Sequence, residues 1–111
     1  MPKTPFGSSG ILKQQNSVDG VDITTDTSYT DVLNITGSGF LVCVITSATT
    51  SNGSVEITID GGTARTISIN TFGVAAFPAF SGLSRFKTSL LIRHKADAGG
   101  TTRTNYWYST D

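Results

Sequence analysis

The sequence predicts an all-β fold, a two-sheet antiparallel β-sandwich of the jelly-roll kind, and three observations lead to this prediction. The 111 residues contain 18 Thr and 13 Ser beside 12 Gly, and this composition favours strands and turns over helices. Apolar and polar residues alternate along several short segments. No segment with helical periodicity exceeds two turns, so crossover helices are not expected. Seven or eight short strands should therefore form two stacked sheets.

The chain is expected to form one domain preceded by an arm. Its length allows a single hydrophobic core. Residues 1–16 contain two prolines and two glycines and show little periodicity, which is typical of an extended arm. We expect that arm to be ordered by contact with a neighbouring molecule. The β-sandwich domain is predicted to comprise residues 17–111.

The first predicted strands lead to the centre of the core. Leu33 and Ile35 alternate with polar residues, and residues 37–39, GSG, interrupt the strand, which indicates a bulge or a sharp corner. Residues 40–45, FLVCVI, are apolar at both alternating positions. That pattern is typical of a central strand that is covered on both faces, and Cys43 is expected to fill space in the core.

The middle of the sequence predicts turns and one well-defined strand. Residues 51–53, SNG, favour a tight turn, because Asn-Gly tolerates the positive φ angles of hairpins. Residues 54–60, SVEITID, alternate cleanly and should bury one face. A turn at residues 60–63 then leads into a return strand. Residues 70–82 are less regular, and their phenylalanines are expected to close one end of the core.

Residues 84–95 are predicted to form one strand with an apolar face and a cationic face. His94 shares the apolar face, so it is expected to lie half-buried at the strand end. The cationic face carries four basic residues, Arg85, Lys87, Arg93 and Lys95. A turn at residues 97–100 should then lead into a last strand, residues 102–108, that closes a hairpin.

The charge distribution is more informative than the net charge of zero. Residues 1–80 carry three basic and six acidic residues, whereas residues 81–111 carry five basic and two acidic ones. A balanced total argues against an acidic disordered tail and against nucleic acid as a partner. The four clustered cations repel one another, so we expect solvent or an acidic protein partner to relieve them. They are predicted interface residues.

Tyr106, Trp107 and Tyr108 are the other predicted interface residues. In a strand, the two tyrosines point away from the face that carries Trp107, so only one of the two sides can contact the core of this chain. The other side is available as an interface anchor, as a platform for a sugar or as a patch covered by the arm.

Few residues could support catalysis or bind a metal. His94 is the single histidine, Glu56 is the single glutamate, and no serine lies in a G-x-S-x-G pattern. Four aspartates between positions 19 and 31 could offer oxygen ligands to calcium, but their spacing fits no EF-hand loop, and turns explain such residues equally well. We therefore expect no catalytic residue, no cofactor and no metal site.

The chain contains one cysteine, so an intramolecular disulfide cannot form. Its longest apolar run is six residues, residues 40–45, which is far below the roughly 20 residues that span a bilayer. The first residues contain no apolar signal-peptide core. We expect synthesis in the cytoplasm and no contact with a membrane.

Two segments resemble a known group of proteins. Residues 31–41, DVLNITGSGFL, and residues 54–62, SVEITIDGG, resemble small β-sandwich modules of tailed-bacteriophage virion proteins. In those modules, a strand reading L-N-I-T-G-x-G-F/Y-L leads to one reading V-x-I-x-I-D-G. The resemblance covers about a third of the chain. It implies a non-enzymatic part of a fibre, of the neck or tail, or of the capsid decoration, commonly assembled as a trimer.

The leading hypothesis is therefore a virion structural protein that acts by oligomeric assembly, with copies of itself and other virion proteins as partners. Its anchors would be Trp107 and Tyr106, and its localisation would be the virion. The alternative is a carbohydrate-binding or host-receptor-binding module, with a surface glycan stacked on an exposed Tyr or Trp.

Overall fold

The computed structural model describes residues 17–77 and 84–111, and it forms strands, turns and loops throughout them. Within these residues the strands are β1 (Ser17–Thr24), β2 (Thr30–Thr36), β3 (Gly39–Thr49), β4 (Gly53–Ile59), β5 (Arg65–Ile69), β6 (Val74–Phe77), β7 (Ser84–Phe86), β8 (Ser89–Ala96) and β9 (Thr101–Thr110). The predicted all-β fold is confirmed. The predicted arm, residues 1–16, lies outside the described residues.

The strands form two antiparallel sheets. Sheet A has the order β1-β9-β3-β6, with the short β7 also paired to β3, and sheet B has the order β2-β8-β4-β5. The pairs are nested: β1 joins β9, β2 joins β8, β3 joins β6 and β4 joins β5. This pattern is one long hairpin rolled into two layers, which is the jelly-roll topology.

Side chains from the inner faces of both sheets form a single core. Its fully buried apolar members come from β3, β4, β5, β7 and β8, and they are Leu41, Val44, Ala48, Val55, Ile57, Ile69, Phe86, Leu90 and Ile92. The predicted alternation of residues 54–60 is confirmed, because Val55 and Ile57 lie in this core. Burial of each large side chain stabilises the fold by roughly 1.5–3 kcal/mol.

The predicted corner at residues 37–39 is confirmed, because the chain passes there from sheet B to sheet A. Gly37 has a φ of 130°, which an L-residue rarely adopts. A side chain at Gly39 would collide with the carbonyl oxygen of Ser109 on β9. Glycine at these two positions therefore allows β3 to approach β9 immediately after the corner.

The central position of β3 is confirmed, but the prediction that both of its faces are covered is wrong. Its register against β9 shifts between Leu41 and Cys43, which marks a bulge. Before the bulge an odd-numbered residue, Leu41, points into the core, and after it an even-numbered residue, Val44, does so. Cys43 and Ile45 lie on the outer face of sheet A, where both are partly or largely exposed. Cys43 is therefore not part of the core.

Two predicted hairpins connect different sheets. Residues 51–53 join β3 of sheet A to β4 of sheet B, and the positive φ in this loop belongs to Thr50. Residues 97–100 join β8 of sheet B to β9 of sheet A, so residues 102–108 do not close a hairpin with the preceding strand. The β4–β5 hairpin is as predicted, with positive φ at Asp60 and Gly61.

The predicted single strand over residues 84–95 is wrong. It is two strands, β7 in sheet A and β8 in sheet B, and the break lies at residues 87–88. One carboxylate oxygen of Asp60 accepts hydrogen bonds from the backbone amides of Lys87, Thr88 and Ser89 at 2.7, 2.7 and 3.2 Å. These hydrogen bonds hold the pKa of Asp60 below its ordinary value of 3.8, and the bond from the Thr88 amide has the largest effect.

Two further differences lie at the start and in the middle of the chain. Residues 17–24 form β1, an edge strand that the sequence pattern did not predict, because Asp and Gly have low β-propensity. Phe72 is 78% exposed and does not close the core, whereas Phe77 packs against it. Phe80 lies outside the described residues.

Candidate functional site

The outer face of sheet A carries the largest concentration of exposed apolar side chains in the described residues. We call it the apolar face. Its members retain 44–69% of their accessible surface, and they are Val21, Ile23, Ile45, Val74 and Trp107. An antiparallel sheet commonly leaves one face to solvent, but that face is then polar. This one is therefore a candidate contact surface.

Strand register places the members of the apolar face on neighbouring strands, with polar residues between some of them. Trp107 on β9 lies between Asp19 on β1 and Cys43 on β3. In the next row, Val21 and Ile45 flank Asn105. Directly opposed residues of an antiparallel pair have Cβ atoms about 5 Å apart, so these side chains touch their cross-strand neighbours. A shallow cavity of about 210 Å³ lies beside Trp107, so the face is not flat.

Two opposite charges lie within the apolar face. Asp19 opposes Trp107, and Arg103 lies four residues before Trp107 on β9, opposite Ile23. Neither residue forms an ion pair with any part of the chain that the structure describes. A face with one unpaired carboxylate and one unpaired guanidinium is complementary to a second copy of itself.

The predicted aromatic residues divide between the two sides of β9, as their alternation requires. Trp107 points outward, whereas Tyr106 and Tyr108 pack against the core. The two tyrosine rings stack with centroids 6.1 Å apart, and burial raises the pKa of Tyr108, with a smaller contribution from Tyr106. Tyr106 also faces Gly20, whose lack of a side chain makes room for its hydroxyl. The Tyr106 ring therefore lies on the core side of β9, and its role as an interface anchor stays a prediction.

The four predicted cations do not share one face of one strand. Arg85 lies on β7 of sheet A, Lys87 lies in the following turn, and Arg93 and Lys95 lie on β8 of sheet B. The turn at residues 87–88 separates β7 from β8, and these strands belong to different sheets. Side chains that point outward from β7 and from β8 therefore lie on opposite sides of the sandwich. The role of these residues as interface contacts stays a prediction.

Two of the cations have acidic partners within the chain. Arg85 donates to both carboxylate oxygens of Asp111 at 3.2 and 2.8 Å, and its guanidinium lies 4.9 Å from the centre of the Phe40 ring. Arg93 lies 3.4 Å from Asp31 and 3.7 Å from Glu56. The predicted need for an acidic partner molecule is therefore reduced at both positions.

The outer face of sheet B has the opposite character, and we call it the polar face. One row across its strands places Asp31, Arg93, Glu56 and Thr66 side by side. The adjacent row contains Lys95, Ser54 and Ser68. Charges of alternating sign and hydroxyl groups are the side chains expected on a solvated sheet face.

A chain of buried polar groups connects the inner faces of the two sheets. Thr46 and Thr104 hydroxyls are 3.1 Å apart, Thr104 lies 2.7 Å from His94 Nδ1, and His94 Nε2 lies 2.9 Å from an Asp22 carboxylate oxygen. Burial lowers the pKa of His94 below its ordinary value of 6.5, although the hydrogen bond and the charge of Asp22 act in the opposite direction. A neutral ring then donates to Asp22 and accepts from Thr104.

The arrangement of Asp22, His94 and Thr104 contains the group types of a hydrolytic triad, but its exposure is reversed. The hydroxyl of Thr104 and the ring of His94 are fully buried, whereas the side chain of Asp22 is 43% exposed. A substrate could reach the carboxylate but not the hydroxyl, so the group as arranged joins the sheets and does not form a catalytic site. His94 is fully buried, not half-buried as expected.

The aspartates near the start of the domain are used separately. Asp22 accepts from His94, Asp31 pairs with Arg93, and the backbone amide of Asp26 donates a hydrogen bond to the Thr24 hydroxyl oxygen. Within residues 17–77 and 84–111, no three or more His, Cys, Asp or Glu side chains come together as a metal site would require.

Comparison with known proteins gives no relative for this chain. No family model, no curated protein and no solved structure matches it. In the described part of the chain, no helix has the length and hydropathy to cross a bilayer. The candidate site is accordingly defined by its own geometry, and it is the apolar face around Trp107.

Proposed function

We propose that the chain is a non-enzymatic structural protein that assembles with copies of itself through the apolar face, as a component of a bacteriophage virion. The observation that carries the assembly part is the cluster of exposed apolar side chains on one face of sheet A around Trp107. The virion part, the trimeric state and the contacts with other virion proteins rest on the sequence resemblance.

The hydrophobic effect favours covering this face. Single exposed apolar residues are common on soluble proteins, but contiguous patches mark interaction surfaces. Trp is among the residues enriched at the energetic centres of interfaces, and here it lies between Asp19 and Cys43, one row from Val21 and Ile45. A second copy would remove Trp107, Ile45 and Val21 from water together.

Charge complementarity would set the relative position of the copies. Asp19 of one copy and Arg103 of its neighbour offer opposite charges at separate places on the same surface. Two copies packed without register would leave these charges desolvated and unpaired, which is costly. The pair therefore favours one arrangement over others.

Sedimentation equilibrium of the purified chain tests the assembly. At concentrations of about 10 μM we expect an oligomer, and Trp107→Ala should weaken association by about 30-fold or more, as expected for an anchor worth at least about 2 kcal/mol. Phe72→Ala is the matched control, since Phe72 is an exposed aromatic residue in the turn between β5 and β6 and is not a member of the apolar face. Its association should be unchanged.

A monomeric wild-type chain, or equal effects of the two substitutions, would overturn the assembly proposal. Coverage of the face by residues 1–16 of the same chain would also produce a monomer, and so would contradict it. The virion part has a separate test: particles made from the genome that encodes the chain should contain it, and its absence from purified particles contradicts that part.

The alternative is a carbohydrate-binding or receptor-binding module. Stacking on Tyr106 or Tyr108 is not supported, because both rings pack against the core. Trp107 is the exposed aromatic residue of that strand, and the cavity beside it could accept a sugar ring. If Trp107→Ala leaves assembly intact and removes binding on a glycan array, this alternative replaces the assembly proposal.

A further inference from the structure

A polar groove lies at one end of sheet B, on the side of the sandwich opposite to the apolar face. It has a volume of about 320 Å³, which is at the lower end of the roughly 300–1,000 Å³ of small-molecule sites. Its floor is the row formed by Lys95, Ser54 and Ser68. Tyr29 lines one side, and loop residues that include Asn52 line the end.

Hydrogen bonds within the protein hold three of the lining side chains in place. The hydroxyls of Tyr29 and Ser54 are 2.9 Å apart. The side-chain oxygen of Asn52 accepts from the backbone amide and the hydroxyl of Thr71 at 2.8 and 2.9 Å, which directs the two amide hydrogens of Asn52 elsewhere. Side chains that are already oriented lose little conformational entropy when a ligand binds.

Other side chains in the groove have unused hydrogen-bonding capacity. Thr66, Ser68 and Asn70 are exposed there, and their side chains form no hydrogen bond with the described part of the chain. Hydroxyl groups donate and accept, and an amide offers both kinds of group. The groove thus presents a dense mixture of donors and acceptors in a small volume.

The charges in the groove favour a neutral ligand. Lys95 and Asp97 both line it, one positive and one negative, and they form no ion pair with each other. A phosphate would meet one ammonium group beside a repelling carboxylate, whereas an apolar ligand would leave the polar lining unsatisfied. A neutral ligand whose groups both donate and accept hydrogen bonds can bond to the Lys95 ammonium, to the Asp97 carboxylate and to the hydroxyls.

We infer that this groove is a binding site for a neutral saccharide unit, a function separate from assembly through the apolar face. A sugar ring carries hydroxyls around its edge, which suits a lining of hydroxyl, amide, ammonium and carboxylate groups. Cations of Lys95 and Arg93 lie 5.1 and 5.8 Å from the centre of the Tyr29 ring, so little of that ring is left for stacking. Binding therefore depends on hydrogen bonds, with a dissociation constant on the order of 1 mM.

Titration of the ¹⁵N-labelled chain, followed by NMR, tests the inference. The probes are glucose, galactose, mannose, N-acetylglucosamine, N-acetylneuraminic acid and inorganic phosphate, each to about 50 mM, well above the expected dissociation constant. At least one neutral sugar should cause saturable shifts at the amides of residues 29, 52–54, 66–70 and 95–97. Ser68→Arg should fill the groove and weaken that binding at least about tenfold.

Thr63→Arg is the matched control, since Thr63 is exposed in the β4–β5 turn and does not line the groove. Its binding should stay within about twofold of the wild type, a difference under about 0.5 kcal/mol. Asn70→Ala provides a second variant that removes groups without adding bulk, and it should also weaken binding.

Three results would overturn the inference. The first is the absence of shifts with every neutral sugar. The second is shifts confined to the surroundings of Trp107, which would support the alternative function. The third is tighter binding of phosphate or N-acetylneuraminic acid than of any neutral sugar, which would replace the neutral ligand with an anion. None of these results depends on whether the chain assembles.

Discussion

The two outer faces of this sandwich are built on the same topology and differ in chemistry. On the polar face, Arg93 lies between Asp31 and Glu56, so its charge has acidic partners within the sheet. On the apolar face, Trp107 and Ile45 are exposed, and Asp19 and Arg103 have no ion-pair partner among the described residues. The polar face has the chemistry of a solvated sheet face, and the apolar face is the surface through which we propose assembly.

The comparison depends on the two sheets staying packed. Their inner faces share one apolar core, and the buried chain from Thr46 through Thr104 and His94 to Asp22 joins β3, β9, β8 and β1. Polar groups buried in this way stabilise when every member is satisfied and destabilise when one is removed. The core and this chain can therefore be tested separately from the outer faces.

The largest expected effect comes from placing a charge on each face in turn. Ile45→Asp puts a carboxylate in the middle of the apolar face, and we expect the dissociation constant for assembly to rise at least about 100-fold, or roughly 3 kcal/mol. Thr58→Asp makes a similar change on the polar face, and it should alter assembly less than about threefold. Sedimentation equilibrium measures both. Similar shifts for the two variants would remove the distinction between the faces.

Removal of one hydroxyl from the buried chain should have the next largest effect. Thr104→Val keeps the side-chain shape but leaves His94 Nδ1 and the Thr46 hydroxyl without the partners they now have. We expect the free energy of unfolding to fall by about 1–3 kcal/mol. Urea denaturation followed by circular dichroism at one fixed protein concentration measures it. An unchanged midpoint would mean that the chain of hydroxyls does not contribute to stability.

The same group predicts a pH dependence. Because burial lowers the pKa of His94 below 6.5, the folded state favours the neutral ring more than the unfolded chain does. This contribution is fully present above pH 6.5 and is lost as the pH falls through the lowered pKa of the folded state, with a slope of at most about 1.4 kcal/mol per pH unit. Unfolding free energies measured between about pH 7.5 and 5 should decrease toward acid.

The control for this pH dependence is His94→Gln, which cannot titrate. Although the variant is less stable throughout, its unfolding free energy should change less over the same range. Parallel curves for the two proteins would assign the acid sensitivity to carboxylates and would contradict the role given to His94.

The smallest expected effect lies on the polar face. Arg93→Gln removes a partly exposed cation that lies 3.4 Å from Asp31 through its Nε atom, without hydrogen-bond geometry. We expect the free energy of unfolding to fall by less than about 1 kcal/mol, with assembly unchanged. Thermal denaturation at two salt concentrations measures the first effect. A loss of assembly would show that this face also contacts a partner.

Local patterns in the sequence predicted the parts of the fold that depend on alternation. The burial of Val55 and Ile57, that of Leu90 and Ile92, and the separation of Trp107 from the two tyrosines on β9 follow from the two-residue period of a strand. The glycines near Gly37 predicted the corner because few other residues adopt its φ. These features need no knowledge of which strand lies beside which.

Features that depend on distant contacts were not predictable in this way. The break between β7 and β8 is held by Asp60, which lies 27–29 residues earlier in the chain. His94 meets Asp22, which is 72 residues away, only because β1 pairs with β9. The bulge in β3 also concealed that Ile45 faces outward, since it changes parity within an unbroken apolar run. Register and sheet order carry this information.

The apolar face is the part of the candidate site that sequence reasoning reached least well. Trp107 was expected at an interface, but its neighbours Val21, Ile23 and Ile45 come from an unpredicted strand and from a strand assigned to the core. These neighbours of Trp107 can be identified only when the strand register is known, because the register shows which exposed apolar residues lie on one face.

Acrylamide quenching of Trp107 tests the central claim most directly, because this is the single tryptophan of the chain and it lies in the apolar face. The wild-type protein at about 10 μM, measured beside the Ile45→Asp variant, should show an indole that is protected in the oligomer and accessible in the variant monomer. Equal quenching in the two proteins would contradict the claim that a second copy covers this face.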